Sequence, residues 1–97
     1  SVHIDSIYVS DSKIILKGAD VLDSVGIVAR WHFVKYHNEA LYIKLIGGLA
    51  LTSVMRHLPF QESLEFNISI PNTYGNIKEI YLEGNDPSQN VLIWSEK

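Results

Sequence analysis

Val25–Leu45, VGIVARWHFVKYHNEALYIKL, is the stretch whose reading decides the fold. Val25, Ile27, Ala29, Trp31 and Phe33 form an unbroken apolar set at alternate positions, against the mixed set Val28, Arg30, His32, Val34 and Tyr36. Period two over this length predicts a strand, because a helix would repeat its apolar positions every three or four residues. The return limb sets Leu41, Ile43 and Leu45 against Ala40, Tyr42, Lys44 and Ile46, so the pair reads as a hairpin. A two-residue loop, Asn38-Glu39, would place Phe33 opposite Lys44 and mix the faces. A three-residue loop, His37-Asn38-Glu39, would pair Phe33 with Ile43 and Trp31 with Leu45. The three-residue loop is the expectation, since a slip of one residue exchanges the faces of a strand. Trp31 is then a core residue.

Outward from this hairpin the strand signals continue. Val2–Val9 carries the β-branched and aromatic residues of a first strand. Ser10-Asp11-Ser12 is a turn, and Ile14–Leu16 returns as a second strand that stops at Gly18. Ala19–Ser24 reads as a loop into the hairpin, and Gly47-Gly48 closes the fourth strand. Leu49–Leu58 fits neither period and is left irregular up to Pro59. Leu64, Phe66, Ile68 and Ile70 alternate with Glu65, Asn67 and Ser69 as a fifth strand. After the turn residues Pro71–Asn76 come Ile77–Leu82, a hairpin loop at Gly84–Ser88, and Val91–Trp94. About seven short strands punctuated by turns predict an all-β, antiparallel, immunoglobulin-like β-sandwich.

The 97 residues suit one domain, 1–97, and 46% apolar with 20% charged residues is ordinary globular composition. The chain begins at Ser1 without Met, which reads as a processed product or an excised domain. Eight Lys and Arg against eleven Asp and Glu give a net charge of −3, with the cations scattered singly. Nucleic acid and anionic membrane surfaces are therefore not expected partners. No apolar run approaches the ~18–20 residues that span a bilayer, so this domain is not expected to insert in a membrane. With no cysteine there is no disulfide, thiolate nucleophile or cysteine-ligated zinc.

The tail Ile77–Trp94, IKEIYLEGNDPSQNVLIW, together with Trp31, resembles small immunoglobulin-like or fibronectin-type-III-like modules of bacterial surface proteins, lipoproteins and cell-wall enzymes. The resemblance implies an extracytoplasmic or cell-surface, non-catalytic module acting as a spacer or protein-interaction domain. It also admits an alternative, a carbohydrate-binding accessory domain of a cell-wall or polysaccharide enzyme.

The residues exclude more chemistry than they offer. His3, His32, His37 and His57 form no His-x-x-x-His or His-Glu-x-x-His pair, so no metal site is expected. No Gly-x-Ser-x-Gly elbow is present, and the acid pairs Asp20 with Asp23 and Glu62 with Glu65 read as solvated loop and strand charges. Gly47-Gly48 lacks the Lys-Ser/Thr of a phosphate loop. No cofactor and no enzymatic activity are expected. The remaining candidates are His32, Tyr36, Tyr42 and Lys44, which the three-residue loop would gather on the outer face of the hairpin. Such a face could stack sugar rings or pack on a protein. Cell-wall glycan and protein are thus the expected partners of a chain expected to be monomeric.

Overall fold

The structure is a computed structural model that describes residues 2–21, 27–49 and 63–97. The expected loop beyond Val21, the Leu49–Leu58 stretch past Leu49, and the candidate residues Asp23, His57 and Glu62 lie outside the described residues.

The chain order is β1 (Val2–Val9), β2 (Lys13–Val21), β3 (Ile27–His37), β4 (Ala40–Leu49), β5 (Ser63–Pro71), β6 (Glu79–Leu82), a 3-10 turn at Pro87–Gln89, and β7 (Val91–Ser95). These strands form a three-stranded sheet, β1-β2-β5, and a four-stranded sheet, β3-β4-β6-β7. Ile14, Leu16 and Ile70 of the first sheet pack with Leu41, Ile43 and Ile80 of the second and with Ile77 in the segment before β6. The architecture is therefore an all-β, sandwich-like pair of sheets. Removing each such fully buried aliphatic side chain from water contributes about 1.5–3 kcal/mol.

The first turn forms as its residue types require. Ser10 Oγ accepts from the backbone N–H of Ser12 at 3.3 Å and of Lys13 at 3.1 Å, and Asn72 Nδ2 donates to Ser10 O at 2.8 Å. β2 does not stop at Gly18 but runs on to Val21, and this glycine is a packing requirement rather than a break. A Cβ there would lie 2.2 Å from His3 O and 2.8 Å from the tip of the Phe66 ring. The irregularity of β1 between Ile4 and Ser6 sits beside this close approach. In β5, Phe66, Ile68 and Ile70 pack on the core while Glu65, Asn67 and Ser69 are exposed, as the alternation predicts.

Two expectations are corrected. The sandwich is not wholly antiparallel, because β4 and β6 run parallel, with Leu41 opposite Ile80 and Ile43 opposite Leu82. In immunoglobulin domains the third strand neighbours the sixth; here β4 takes that place and β3 is an edge strand. A parallel neighbour is reached only by a long crossover, which the passage through β5 in the opposite sheet supplies.

The central hairpin closes with two residues, not three. His37 pairs with Ala40, Phe33 with Lys44 and Val34 with Ile43. Asn38 and Glu39 have φ of 50° and 62°, the left-handed pair that defines a type I′ turn. The twist of that turn matches the twist of the strands it joins, which the looser loop would not do as well. The return limb was read in the right phase, with Leu41 and Ile43 buried. On β3 the phase is inverted: Val34 and Tyr36 pack on the core, while Trp31 is 55% and Phe33 64% exposed. A bulge between Ala29 and Trp31 explains why unbroken alternation misled. Before it Ala29 pairs with Gly47; after it Trp31 pairs with Ile46, so the parity of pairing changes within the strand.

Two measurements check this packing. Gly18→Ala should lower unfolding free energy by about 2 kcal/mol or more, read by urea titration, because backbone must move to admit the methyl. Phe33→Ser should change stability by no more than about 0.5 kcal/mol, whereas Tyr36→Ala should cost about 2 kcal/mol or more. The reverse order would restore the three-residue loop.

Candidate functional site

The inverted phase of β3 divides the four candidate residues between two faces. Tyr36 lies on the core side, where its ring stacks on Tyr74 with centroids 5.5 Å apart. Its hydroxyl donates to Asn76 O at 2.5 Å. Tyr36 thus packs on the core side, and it also lines a cleft shared with Tyr42 and Lys44. His32 is opposite Leu45 and lines a cleft of about 310 Å³ at the open side of the sandwich with Trp31, Phe66 and Ile68.

Tyr42 and Lys44 do share the outer face. On that face with them are Trp31 and Phe33, which the alternation had placed with the core, together with Lys35, Tyr81 and Glu83. Tyr42 and Tyr81 stand opposite each other on the parallel strands, and their rings stack at 5.2 Å with an interplanar angle of 11°. Lys35 Nζ lies 5.5 Å from the Tyr42 ring centroid and 3.2 Å from Glu83 Oε1. A cation above the ring face gains about 0.5–1 kcal/mol at an exposed site. Tyr81 donates its hydroxyl to Glu79 Oε1 at 3.1 Å, and this bond holds the phenol above its ordinary pKa. Leu92, opposite Tyr81 on β7, is 48% exposed and extends the apolar surface.

Beside this face the β6–β7 loop builds one wall of a cleft of about 590 Å³, with Lys35, Tyr42, Lys44 and Glu83 opposite Asn85 and Asp86. The loop is held by its own polar side chains. Gly84 N donates to Asn90 Oδ1 at 3.0 Å and Asn85 N to Gln89 Oε1 at 3.1 Å. Asp86 caps the short turn by accepting from Ser88 N at 3.0 Å and from the Ser88 hydroxyl. The cleft is lined by both signs of charge and by Tyr42. That ring has one face against Tyr81 and Lys35 over it, so it does not present a flat, unshared platform to a sugar.

The hairpin tip is fastened to the β5–β6 connection. Glu39 accepts from Asn76 Nδ2 at 2.5 Å and pairs with Lys78 Nζ at 3.4 Å, while Lys78 N donates to Glu39 O at 2.7 Å. The Asn76 bond first, then the bond and charge of Lys78, hold the Glu39 carboxyl below 4.5. Among the described residues, no group of three or more His, Asp or Glu is placed to hold a metal ion. No helix there is long and apolar enough to cross a membrane.

The residues missed by sequence reasoning, Trp31 and Phe33 above all, were misplaced by the same one-residue error in the turn. The signal that could have found them is Asn38-Glu39 itself, since Asn readily takes the left-handed backbone of a two-residue hairpin loop. No protein-family model, no curated protein and no solved structure matches this chain.

Glu39 supplies a pH prediction. A carboxyl whose folded pKa is depressed stabilises the fold above its unfolded pKa, and that contribution is lost as pH falls through the folded value. The chain should therefore lose stability on acidification below 4.5, and Glu39→Gln should flatten that part of the profile. Carbon-detected NMR titration of Glu39 should give a midpoint below 4.5; a midpoint at or above it would remove the clamp.

Proposed function

We propose that the chain is a non-catalytic β-sandwich module of an extracytoplasmic protein that binds another protein through the outer face of its four-stranded sheet, on the side of the edge strand β3. The observation that carries this reading is the exposure of Trp31 at 55% and Phe33 at 64%, two residues apart on β3. Half-exposed rings on the face that also carries Tyr42, Tyr81 and Leu92 are the composition of a protein contact, where aromatic residues are enriched. The core does not need them, since Val34 and Tyr36 supply the inward packing of that strand. Lys44 opposite Phe33, Lys35 opposite Tyr42 and Glu83 beside them set charged groups among these rings.

The second reading, a carbohydrate-binding accessory domain, is supported by the cleft that joins Tyr42 and Lys44 to Asn85 and Asp86. It is the weaker of the two, because the ring expected to stack a sugar is stacked on Tyr81 instead.

An amide-resolved NMR titration with soluble cell-wall glycan fragments separates them. The interaction reading expects no saturable shifts at Tyr42, Lys44 or Asn85 at millimolar ligand; saturable shifts there would transfer the proposal to glycan binding. A photo-crosslinking residue at Phe33, in cells that make the parent protein, should yield a protein adduct of defined mass that the same residue at Lys17 does not. Absence of any Phe33 adduct would overturn the interaction reading.

A further inference from the structure

β5 carries Glu65, Asn67 and Ser69 on the side away from the core, alternating with Phe66, Ile68 and Ile70, which pack inward. Residues two apart on a strand stand about 6.5 Å from each other on one face. The three polar residues therefore form a row, and the segment reads Glu-Phe-Asn-Ile-Ser with no proline in it. Asn-x-Ser, with x other than proline, is the acceptor pattern of N-linked glycosylation. Of the asparagines in the chain, Asn67 alone has a serine or threonine two residues on.

Resting on the reading of this chain as part of an extracytoplasmic protein, we propose that Asn67 is an acceptor for an N-linked glycan, delivered from a lipid-pyrophosphate-linked oligosaccharide. In the transfer, Asn67 Nδ2 forms a bond to the anomeric carbon of the first sugar. The bond from that carbon to the pyrophosphate oxygen breaks, and the lipid pyrophosphate leaves with the electron pair. One Nδ2 proton passes to a base of the transferase, and no oxidant or reductant is needed. An amide nitrogen is a weak nucleophile because its lone pair is shared with the carbonyl, so activation belongs to the transferase. What the chain supplies is a set of handles in one row. The Ser69 hydroxyl offers a hydrogen bond on one side of the acceptor, and the Glu65 carboxylate offers an ion pair to a cationic groove on the other.

The fold gives these side chains no other work. All three are exposed, and among the described residues none of them makes a side-chain hydrogen bond or ion pair. Asparagine is disfavoured in strands, and the core contacts of β5 come from its neighbours Phe66 and Ile68. Opposite the row on β2 stand Ala19, Lys17 and Ile15, and Lys17, which faces Asn67, is itself exposed. A glycan on Asn67 thus projects into water and displaces no packing. β5 pairs with β2 along its whole length, from Ser63 to Pro71. The transferase therefore reaches the segment before that pairing closes, while the chain is being exported.

The test places the chain behind an export leader in a bacterium that holds a single-subunit oligosaccharyltransferase and an undecaprenyl-pyrophosphate-linked oligosaccharide. Intact-mass spectrometry should show one oligosaccharide added to most of the exported chain, and fragmentation should place it on Asn67. Asn67→Gln and Ser69→Ala should abolish the addition with unchanged circular dichroism spectra, and Ser69→Thr should keep it. Glu65→Gln should lower occupancy about ten-fold, the loss of one charge-assisted contact. An unmodified wild-type chain, or a glycan on any other asparagine, overturns the proposal; full occupancy in Glu65→Gln removes Glu65 from it. In the parent protein, taken from its own cells, the peptide carrying Asn67 should also bear a glycan. Transfer to the leader-directed chain with a bare Asn67 in the parent would instead overturn the extracytoplasmic reading, so the two failures are distinct.

Discussion

The left-handed backbone at Asn38 and Glu39 is the constraint on which the rest of the four-stranded sheet depends. Two residues at positive φ close the hairpin in the handedness of the strands, and that fixes which face each residue of β3 from Trp31 to His37 occupies. Asn bears such a conformation easily, Glu less so. The clamp of Glu39 on Asn76 and Lys78 compensates for the less suited residue. With the tip held, Tyr36 is brought onto Tyr74 and its hydroxyl onto Asn76 O, so one turn organises both the hairpin and the connection that precedes β6.

That anchoring also places the parallel strand. Lys78 N bonds Glu39 O and Glu83 N bonds Ile43 O, bracketing the register of β6 against β4 at both ends. Ile80 is then buried beside Leu41, and Tyr81 is brought opposite Tyr42 on the other face. The same register therefore supplies a core contact and the stacked pair of the outer surface. Local geometry at the tip, packing in the core and the aromatic surface are three consequences of one alignment.

Much of this was legible in the residues. Where an element's own alternation met no interruption, as in Phe66–Ile70 and Leu41–Leu45, the buried face followed from spacing alone. The turn Ser10-Asp11-Ser12 and the loop before β7 were readable because Ser, Asp and Pro act on the backbone within a few residues. β3 was not readable in this way. Its apolar set, continuous from Val25 to Phe33, runs through a bulge that period-two reasoning cannot detect, and the preference for burying Trp31 and Phe33 outweighed the turn signal. The parallel pairing of β4 with β6 was equally hidden, since it arises from a crossover through another sheet rather than from any local pattern. Of the candidate residues, Tyr42 and Lys44 lie on the outer face because β4 kept its phase, and His32 and Tyr36 lie on the other because β3 did not.

The register of the hairpin is best tested by inter-strand Hα–Hα contacts in a nuclear Overhauser spectrum of the labelled chain. Close Hα–Hα pairs arise at the non-hydrogen-bonded positions of an antiparallel ladder. The two-residue turn predicts strong cross-peaks between Tyr36 and Leu41 and between Val34 and Ile43. A cross-peak between Phe33 and Ile43, with none between Val34 and Ile43, would contradict the turn and return Trp31 and Phe33 to the core.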